Sequence, residues 1–145
     1  MSRYCFAGRT AIVDLSNRKV EVFSTADFGE EFWGGRGLNQ KILLDMEPRG
    51  ISSFDPHSII IIGTGRLVGT ESPGAVRTNI DGKNVFTGGI GSSNIGGMFG
   101  RKLKRNGFDH IVITGESEIP VYLLIRDEAI TIDRKSTRLN SSHYS

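Results

Sequence analysis

The chain of 145 residues has one cysteine, Cys5, four prolines and no long apolar run. A lone cysteine excludes an internal disulfide, and it also falls short of the four thiolates an iron–sulfur cluster takes. A chain without disulfides suits a reducing compartment, so a cytoplasmic location is expected. The longest aliphatic stretch, Ile59-Ile60-Ile61-Ile62, is far below the ~20 residues of a membrane helix and reads as a buried strand. Met1-Ser-Arg-Tyr-Cys-Phe-Ala at the start lacks the apolar stretch of about 7–15 residues that marks a secretory signal. Charge of one sign is missing as well: the net charge is +2. The one dense basic run, Arg101 to Arg105, carries no interleaved aromatics and reads as a solvated helix face. Neither a membrane nor a nucleic-acid partner is expected. His57, His110 and His143 are scattered without metal-ligand spacing, and His110 reads simply as the first residue of a strand. No His/Asp/Glu pair is spaced for general acid–base work, so the chain as given is not expected to turn over substrate.

What the chain does have is glycine. Eight of the 27 residues from Gly74 to Gly100 are glycine. Glycine at that density lets a backbone approach a ligand closely, at an entropic cost that a plain connector need not carry. The stretch runs toward a helix-like segment, Met98 to Asn106, whose first N–H groups would suit an anion. Arg77 adds a positive charge, so an anionic, phosphorylated ligand is indicated. The standard phosphate motifs are nevertheless absent. Gly82-Lys83 is followed by Asn84 rather than Ser or Thr, and Arg77 stands where a P-loop has its first glycine. Gly89-Ile-Gly91-Ser-Ser would open a dinucleotide fingerprint, but Asn94 occupies its third glycine position. A cluster of glycine-rich turns without a ligand is the competing reading.

Patterning predicts an opening hairpin, Arg9–Leu15 and Lys19–Phe23, and a helix over Thr25–Trp33 capped by Ser24 or Thr25. The Gly34-Gly-Arg-Gly37 break precedes a second helix over Leu38–Met46, with Leu38, Ile42, Leu43 and Met46 as its apolar stripe. Ser58–Gly63 is expected as a central strand. Val76–Ile80 and Asn84–Phe86 are expected as short strands around an Asp81-Gly82 turn. Gly107 is the expected cap of the third helix, and His110–Thr114, Val121–Ile125 and Glu128–Ile132 are the remaining strands, the first two buried. Strands outnumber helices and come in hairpins. The expected class is therefore α+β, with hairpin-rich mixed β-sheets and a few packing helices, rather than a doubly wound sheet. The last twelve residues, Arg134 to Ser145, are polar and aperiodic with one aliphatic residue, so disorder is expected there. They read as translated adapter sequence. Residues 1–133 would then be a partial N-terminal domain and 134–145 a non-native tail, with the natural protein continuing past Asp133.

Five pieces in order resemble a known family. They are Arg9-Thr-Ala-Ile-Val-Asp-Leu-Ser16, Gly34-Gly-Arg-Gly-Leu38 and Gly63-Thr-Gly-Arg-Leu-Val-Gly-Thr70, then Arg77 seventeen residues ahead of Asn94-Ile-Gly-Gly-Met-Phe-Gly100, and finally Gly107-Phe-Asp-His-Ile-Val-Ile-Thr-Gly115. Together, over Arg9 to about Ile132, they resemble the N-terminal domain of the aldehyde:ferredoxin oxidoreductases. The resemblance implies a base for a bis-pterin tungsten or molybdenum cofactor, with Mg bridging the pterin phosphates. It implies that Arg77 contacts the cofactor, that Asn94 offers its backbone carbonyl toward Mg, and that Gly96 and Gly97 let the main chain lie against a pterin. Asn94 also reads as an N-cap for the helix that follows. Arg36 and Arg66, in the other glycine-rich breaks, are weaker candidates.

For the whole enzyme the resemblance implies oxidation of an aldehyde to a carboxylic acid. Electrons would leave through a 4Fe-4S cluster, whose ligands lie outside this chain, to ferredoxin, and a homo-oligomer is allowed. Ile95, where relatives often carry a small polar residue, and the heavy basic run leave the substrate subclass open between aldehydes and the aromatic thioesters reduced by larger complexes. The alternative is a stand-alone, non-catalytic module that binds a phosphorylated small molecule through the glycine-rich loop.

Overall fold

The computed structural model of the chain describes residues 5–134. Its first hairpin follows from strict alternation. In β1 (Arg9–Asp14), Ala11 and Val13 fall on one face and Thr10 and Ile12 on the other, and β2 (Lys19–Ser24) pairs with it antiparallel. The helix expected through Trp33 is only a 3-10 turn, Thr25–Phe28, ended by Gly29 at φ 135°. Ser24 makes no side-chain cap bond. The Thr25 hydroxyl instead turns inward, 3.0 Å from the Thr10 hydroxyl, and donates to Asp109 at 2.9 Å. Helix α1 spans Gly35–Met46 and so begins inside the expected break, with Gly34 as its N-cap at φ 77°. Leu38, Ile42 and Leu43 are buried as expected, whereas Met46 is exposed.

β3 (Ile60–Thr64), β4 (Thr78–Lys83), β5 (Ile90–Ile95), α2 (Phe99–Arg105), β6 (His110–Thr114), β7 (Val121–Arg126) and β8 (Ala129–Arg134) complete the described elements. The six-stranded sheet has the order β2-β1-β6-β3-β4-β5, while β7 and β8 form a separate antiparallel pair. Only β1–β6 is parallel. The α+β class with hairpin-rich mixed sheets is what the chain forms. Of the expected tail, Arg134 closes β8 opposite Val121, and residues 135–145 lie outside the described residues. β7 is half-buried rather than buried.

One hairpin forms differently from expectation. β4 runs straight through Asp81-Gly82, and the turn lies at 84–89. There the Asn84 side chain accepts the N–H groups of Phe86 and Thr87 at 2.9 and 3.0 Å, an Asx turn that outcompetes the Asp81-Gly82 signal. Asp81 is instead buried within the sheet, and Gly82 lies opposite Ile60. Much of the supposed glycine-rich loop, Ile90 to Ile95, is consequently strand β5 at the sheet edge.

The alternation of each central strand feeds two cores. Ala11, Val13, Ile111, Leu103 and Phe108 gather on the face covered by α2 and by the β7–β8 hairpin. Ile61 and Val112 meet Leu38, Ile42 and Leu43 of α1 on the other. Ile60 is exposed despite the aliphatic run.

A polar layer interrupts the α1 side. Asn39, Asp81 and His110 are all within 1% of full burial. Asn39 donates to Asp81 at 2.7 Å and to the Asn79 carbonyl at 3.3 Å. A carboxylate only accepts, so the Asn39 amide group must face Asp81 and its oxygen must face His110, 2.7 Å from Nδ1. His110 therefore carries its proton on Nδ1. Burial foremost, and then the Lys104 charge, push the His110 pKa down to about 3, so the ring is neutral. Gly63 makes room for this layer: a Cβ there would stand 2.1 Å from the Asn39 oxygen and 2.3 Å from His110 Nδ1.

Gly63→Ala should therefore cost about 3 kcal/mol or more, the upper end of overpacking effects. Gly65→Ala, where a Cβ meets nothing within 4 Å, should cost under about 1 kcal/mol. Urea unfolding of the two variants checks the difference. The His110 ring also sets a pH dependence. Its folded pKa of about 3 lies below the unfolded value of 6.5, so the unfolded chain binds the extra proton between those limits. Stability is then full above pH 6.5 and falls as pH drops toward 3. The loss between pH 7 and pH 5 should be about 2 kcal/mol, and His110→Gln should flatten that slope.

Candidate functional site

Arg77, Asn94, Gly96 and Gly97 come together at one end of the β4–β5 hairpin. Arg77 immediately precedes β4, Asn94 lies in β5 opposite Asn79, and the two glycines join β5 to α2. The Arg77 guanidinium lies over Gly96, where an added Cβ would be 3.7 Å from its Nη1. Gly97 sits at φ +93° with nothing within 4 Å of its Cβ position, so the main chain is bare on that side. Asn94 is exposed, and its side-chain oxygen accepts a hydrogen bond from the Asn79 amide at 2.8 Å. It does not cap the helix. Met98 holds that position without a side-chain bond, and α2 is seven residues long. Arg77 brings a fixed positive charge to this end.

Beside these residues opens a cleft of about 420 Å³, lined by Arg77, Asn79, Trp33, Gly65, Arg66 and the turn at 72–75. Asn94, Gly96 and Gly97 are not among its lining residues. Trp33 is 71% exposed and forms one wall. The Arg66 guanidinium lies 4.5 Å from the Phe6 ring centre and 5.4 Å from that of Trp33, and it donates to the carbonyls of Glu30 and Phe32. Its engagement with backbone makes Arg66 a brace for the Trp33 wall. Arg36 is exposed on the first turn of α1, away from the cleft lining.

Sequence reasoning missed Trp33 and Asn79. The single tryptophan beside Gly34-Gly35 was one available signal, whereas Asn79 carried none of its own. The glycines sort into two kinds. At Gly34 a Cβ would sit 2.7 Å from the Thr64 carbonyl, and at Gly100 it would sit 2.5 Å from the Thr78 hydroxyl. These two serve packing, whereas Gly97, and Gly65 and Gly74 in the cleft lining, leave the main chain open.

A guanidinium, an exposed amide and a strip of uncovered main chain fit a flat ligand that carries anionic groups. Carbonyl and amide oxygens suit a hard cation bound to such a ligand. Among the described residues no group of three or more His, Cys, Asp or Glu is placed to hold a metal directly. No described helix is long and apolar enough to cross a membrane.

Residues 10–144 match the family model "Aldehyde ferredoxin oxidoreductase, N-terminal domain". The chain is 39% identical over 127 residues to the tungsten-containing aldehyde ferredoxin oxidoreductase of Pyrococcus furiosus, covering 86% of this chain and 21% of the relative. It is 41% identical over 130 residues to the enzyme of that description from Thermococcus kodakarensis, with the same coverages. Among solved structures it is similar to the active site complex BamBC of benzoyl coenzyme A reductase in complex with 1,5-dienoyl-CoA. That similarity has a TM-score of 0.86 and 33% identity, covering 92% of this chain and 20% of the other. The chain thus spans about a fifth of the length of the curated relatives it matches. With its fold, its motif order and these matches in agreement, the chain belongs to the aldehyde ferredoxin oxidoreductase family, as an N-terminal domain.

Proposed function

We propose that this domain is the platform on which a tungsten or molybdenum bis-pterin cofactor rests in an enzyme oxidising aldehydes to carboxylic acids. The observation that carries the reading is the placement of Arg77 over Gly96, beside the bare main chain of Gly97. Arg77 would hold a pterin phosphate or ring oxygen through charge-assisted hydrogen bonds. Gly96 and Gly97 would let a pterin lie flat on the chain, and the Asn94 carbonyl would face a phosphate-bound Mg. When bound, the cofactor supplies the two-electron redox chemistry. This chain's residues bind and orient it, and the Trp33 wall keeps water from one side of the cleft. A 4Fe-4S cluster and ferredoxin as electron acceptor belong, on this reading, to the whole protein, and residues 1–133 form its cofactor-binding portion. A cytoplasmic enzyme, a homo-oligomer at full length, would follow the same reading. The tungsten-containing relatives support the choice of cofactor, and the similarity to a benzoyl coenzyme A reductase complex keeps thioester reduction as the second substrate class.

A non-catalytic module binding a phosphorylated small molecule would use the same Arg77, so the two readings are separated by composition. A full-length polypeptide carrying this domain, purified without air, should contain tungsten or molybdenum and a pterin by elemental analysis and by fluorescence of the oxidised pterin. A preparation lacking both metals would overturn the cofactor reading and leave the module. For either, Arg77→Ala in the 145-residue chain should weaken binding of inorganic pyrophosphate with magnesium about tenfold or more, the worth of one charged hydrogen bond. Arg105→Ala, on the exposed side of α2, should leave it within about twofold.

A further inference from the structure

Asn39, His110 and Asp81 are fully buried, lie on three different elements and take no part in the cleft's surface. Polar groups are costly to bury, so a cluster of three at the centre of a sheet calls for a reason. Its bonds run in one direction. The His110 Nδ1–H donates to the Asn39 oxygen at 2.7 Å, and the Asn39 amide donates to Asp81 at 2.7 Å and to the Asn79 carbonyl at 3.3 Å. The Asn79 side chain then donates to Asn94 at 2.8 Å. The path begins beside the β1–β6 centre and ends at the exposed residue next to the cleft.

The backbone is shaped around this path. Gly63 is the β3 partner of both His110 and Asn79, and a side chain there would collide with the Asn39 oxygen and with His110. Gly35, in the first turn of α1, leaves space for the Asn79 amide oxygen, 3.4 Å from where its Cβ would lie. One acceptor on Asp81 and the Nε2 of His110 have no partner among the described residues. An apolar trio of the same size would leave no such unpaired atoms, so bulk stability does not account for the cluster.

We infer that Asn39, held between His110 and Asp81, is a positioning residue for the ligand site: through the Asn79 carbonyl it fixes where β4 presents Arg77 and Asn79 and where β5 presents Asn94. The inference rests on the proposed ligand reading of that end of the hairpin. Asn39 has no contact with a ligand there and acts only through Asn79. Asp81 sets which way the Asn39 amide points, and His110 takes up its oxygen.

The test is an exchange of the two side chains in the 145-residue chain. N39D sets one carboxylate against another and should move the side-chain amide resonances of Asn79 and Asn94. It should also weaken binding of inorganic pyrophosphate with magnesium at least tenfold. N39D combined with D81N restores one donor facing one carboxylate and still accepts the His110 proton, but it offers the Asn79 carbonyl no donor. The charge clash is relieved, yet both amide resonances and the affinity should stay displaced from the parent values, because the bond to the Asn79 carbonyl is still missing. N39S removes the bonds without adding charge and replaces N39D in the comparison if that variant does not fold; it should move the same resonances.

Amide resonances that stay in place in a folded N39D or N39S chain, with affinity unchanged, would overturn the inference and leave the cluster a purely internal device. Full rescue in the exchanged double variant would overturn it as well, because the bond to the Asn79 carbonyl would then not matter. If the parent chain binds no pyrophosphate, the ligand reading fails by itself, and the amide resonances still decide whether Asn39 fixes Asn79 and Asn94.

Discussion

Asp109 is the carboxylate on which the chain's tertiary order hangs. It is wholly buried, and its side chain accepts the N–H groups of Ala7 and Gly8 at 2.8 and 2.6 Å and the Thr25 hydroxyl at 2.9 Å. Its own N–H donates to the Arg9 carbonyl, while its carbonyl accepts from both the N–H and the hydroxyl of Thr64. One residue thus binds the segment before β1, the turn after β2 and the end of β3 into a single joint. Lys104, 3.6 Å away, balances the charge while its ammonium also donates to the carbonyls of Cys5 and Arg66. Burial lowers the Lys104 pKa and the neighbouring Asp109 charge opposes that shift. A buried ion pair of this kind repays its desolvation only when the remaining bonds are made, and at Asp109 they are.

The cleft depends on that joint. Lys104 holds the Arg66 carbonyl, Arg66 braces the 30–33 turn, and the turn sets the Trp33 wall. On the opposite side, α1 and its Asn39 set the hairpin that carries Arg77 and Asn94. The Arg77 end of the domain is therefore framed by two buried polar systems. Asp109 and His110 are neighbours in sequence, yet their side chains bond to different partners.

Much of the fold was legible in residue patterns, and the reasons for the misses are specific. The β-rich runs at Arg9–Leu15 and His110–Thr114 marked two strands of the sheet, and the Leu38–Ile42 spacing marked α1. The Asp81-Gly82 pair misled because a turn signal is local, whereas the Asn39 amide that draws Asp81 inward comes from a helix 42 residues earlier. The helix over Thr25–Trp33 failed for a similar reason, since Thr25 is claimed by Asp109, 84 residues away. Arg77, Asn94, Gly96 and Gly97 were singled out from composition and motif order, and the fold brings them to one end of a hairpin. Trp33 and Asn79 were not, because what places them in the cleft is strand pairing and the Gly34–Gly65 bridge, neither of which has a local mark.

The order of the strands in the sheet has a consequence for how the chain reaches this state. β6 lies between β1 and β3, yet it follows β5 in sequence. Until residue 114 has emerged during synthesis, the β1–β2 hairpin and the β3–β4–β5 meander have no strand to join them. Each waits with an open edge and an uncovered apolar face. Closing the parallel β1–β6 pair links Thr10 to His110, a long loop whose entropy must be lost before the contacts repay it. Folding is then gated by the arrival of one late strand, and the two halves of the sheet are the species most exposed to aggregation or chaperone capture in the interval.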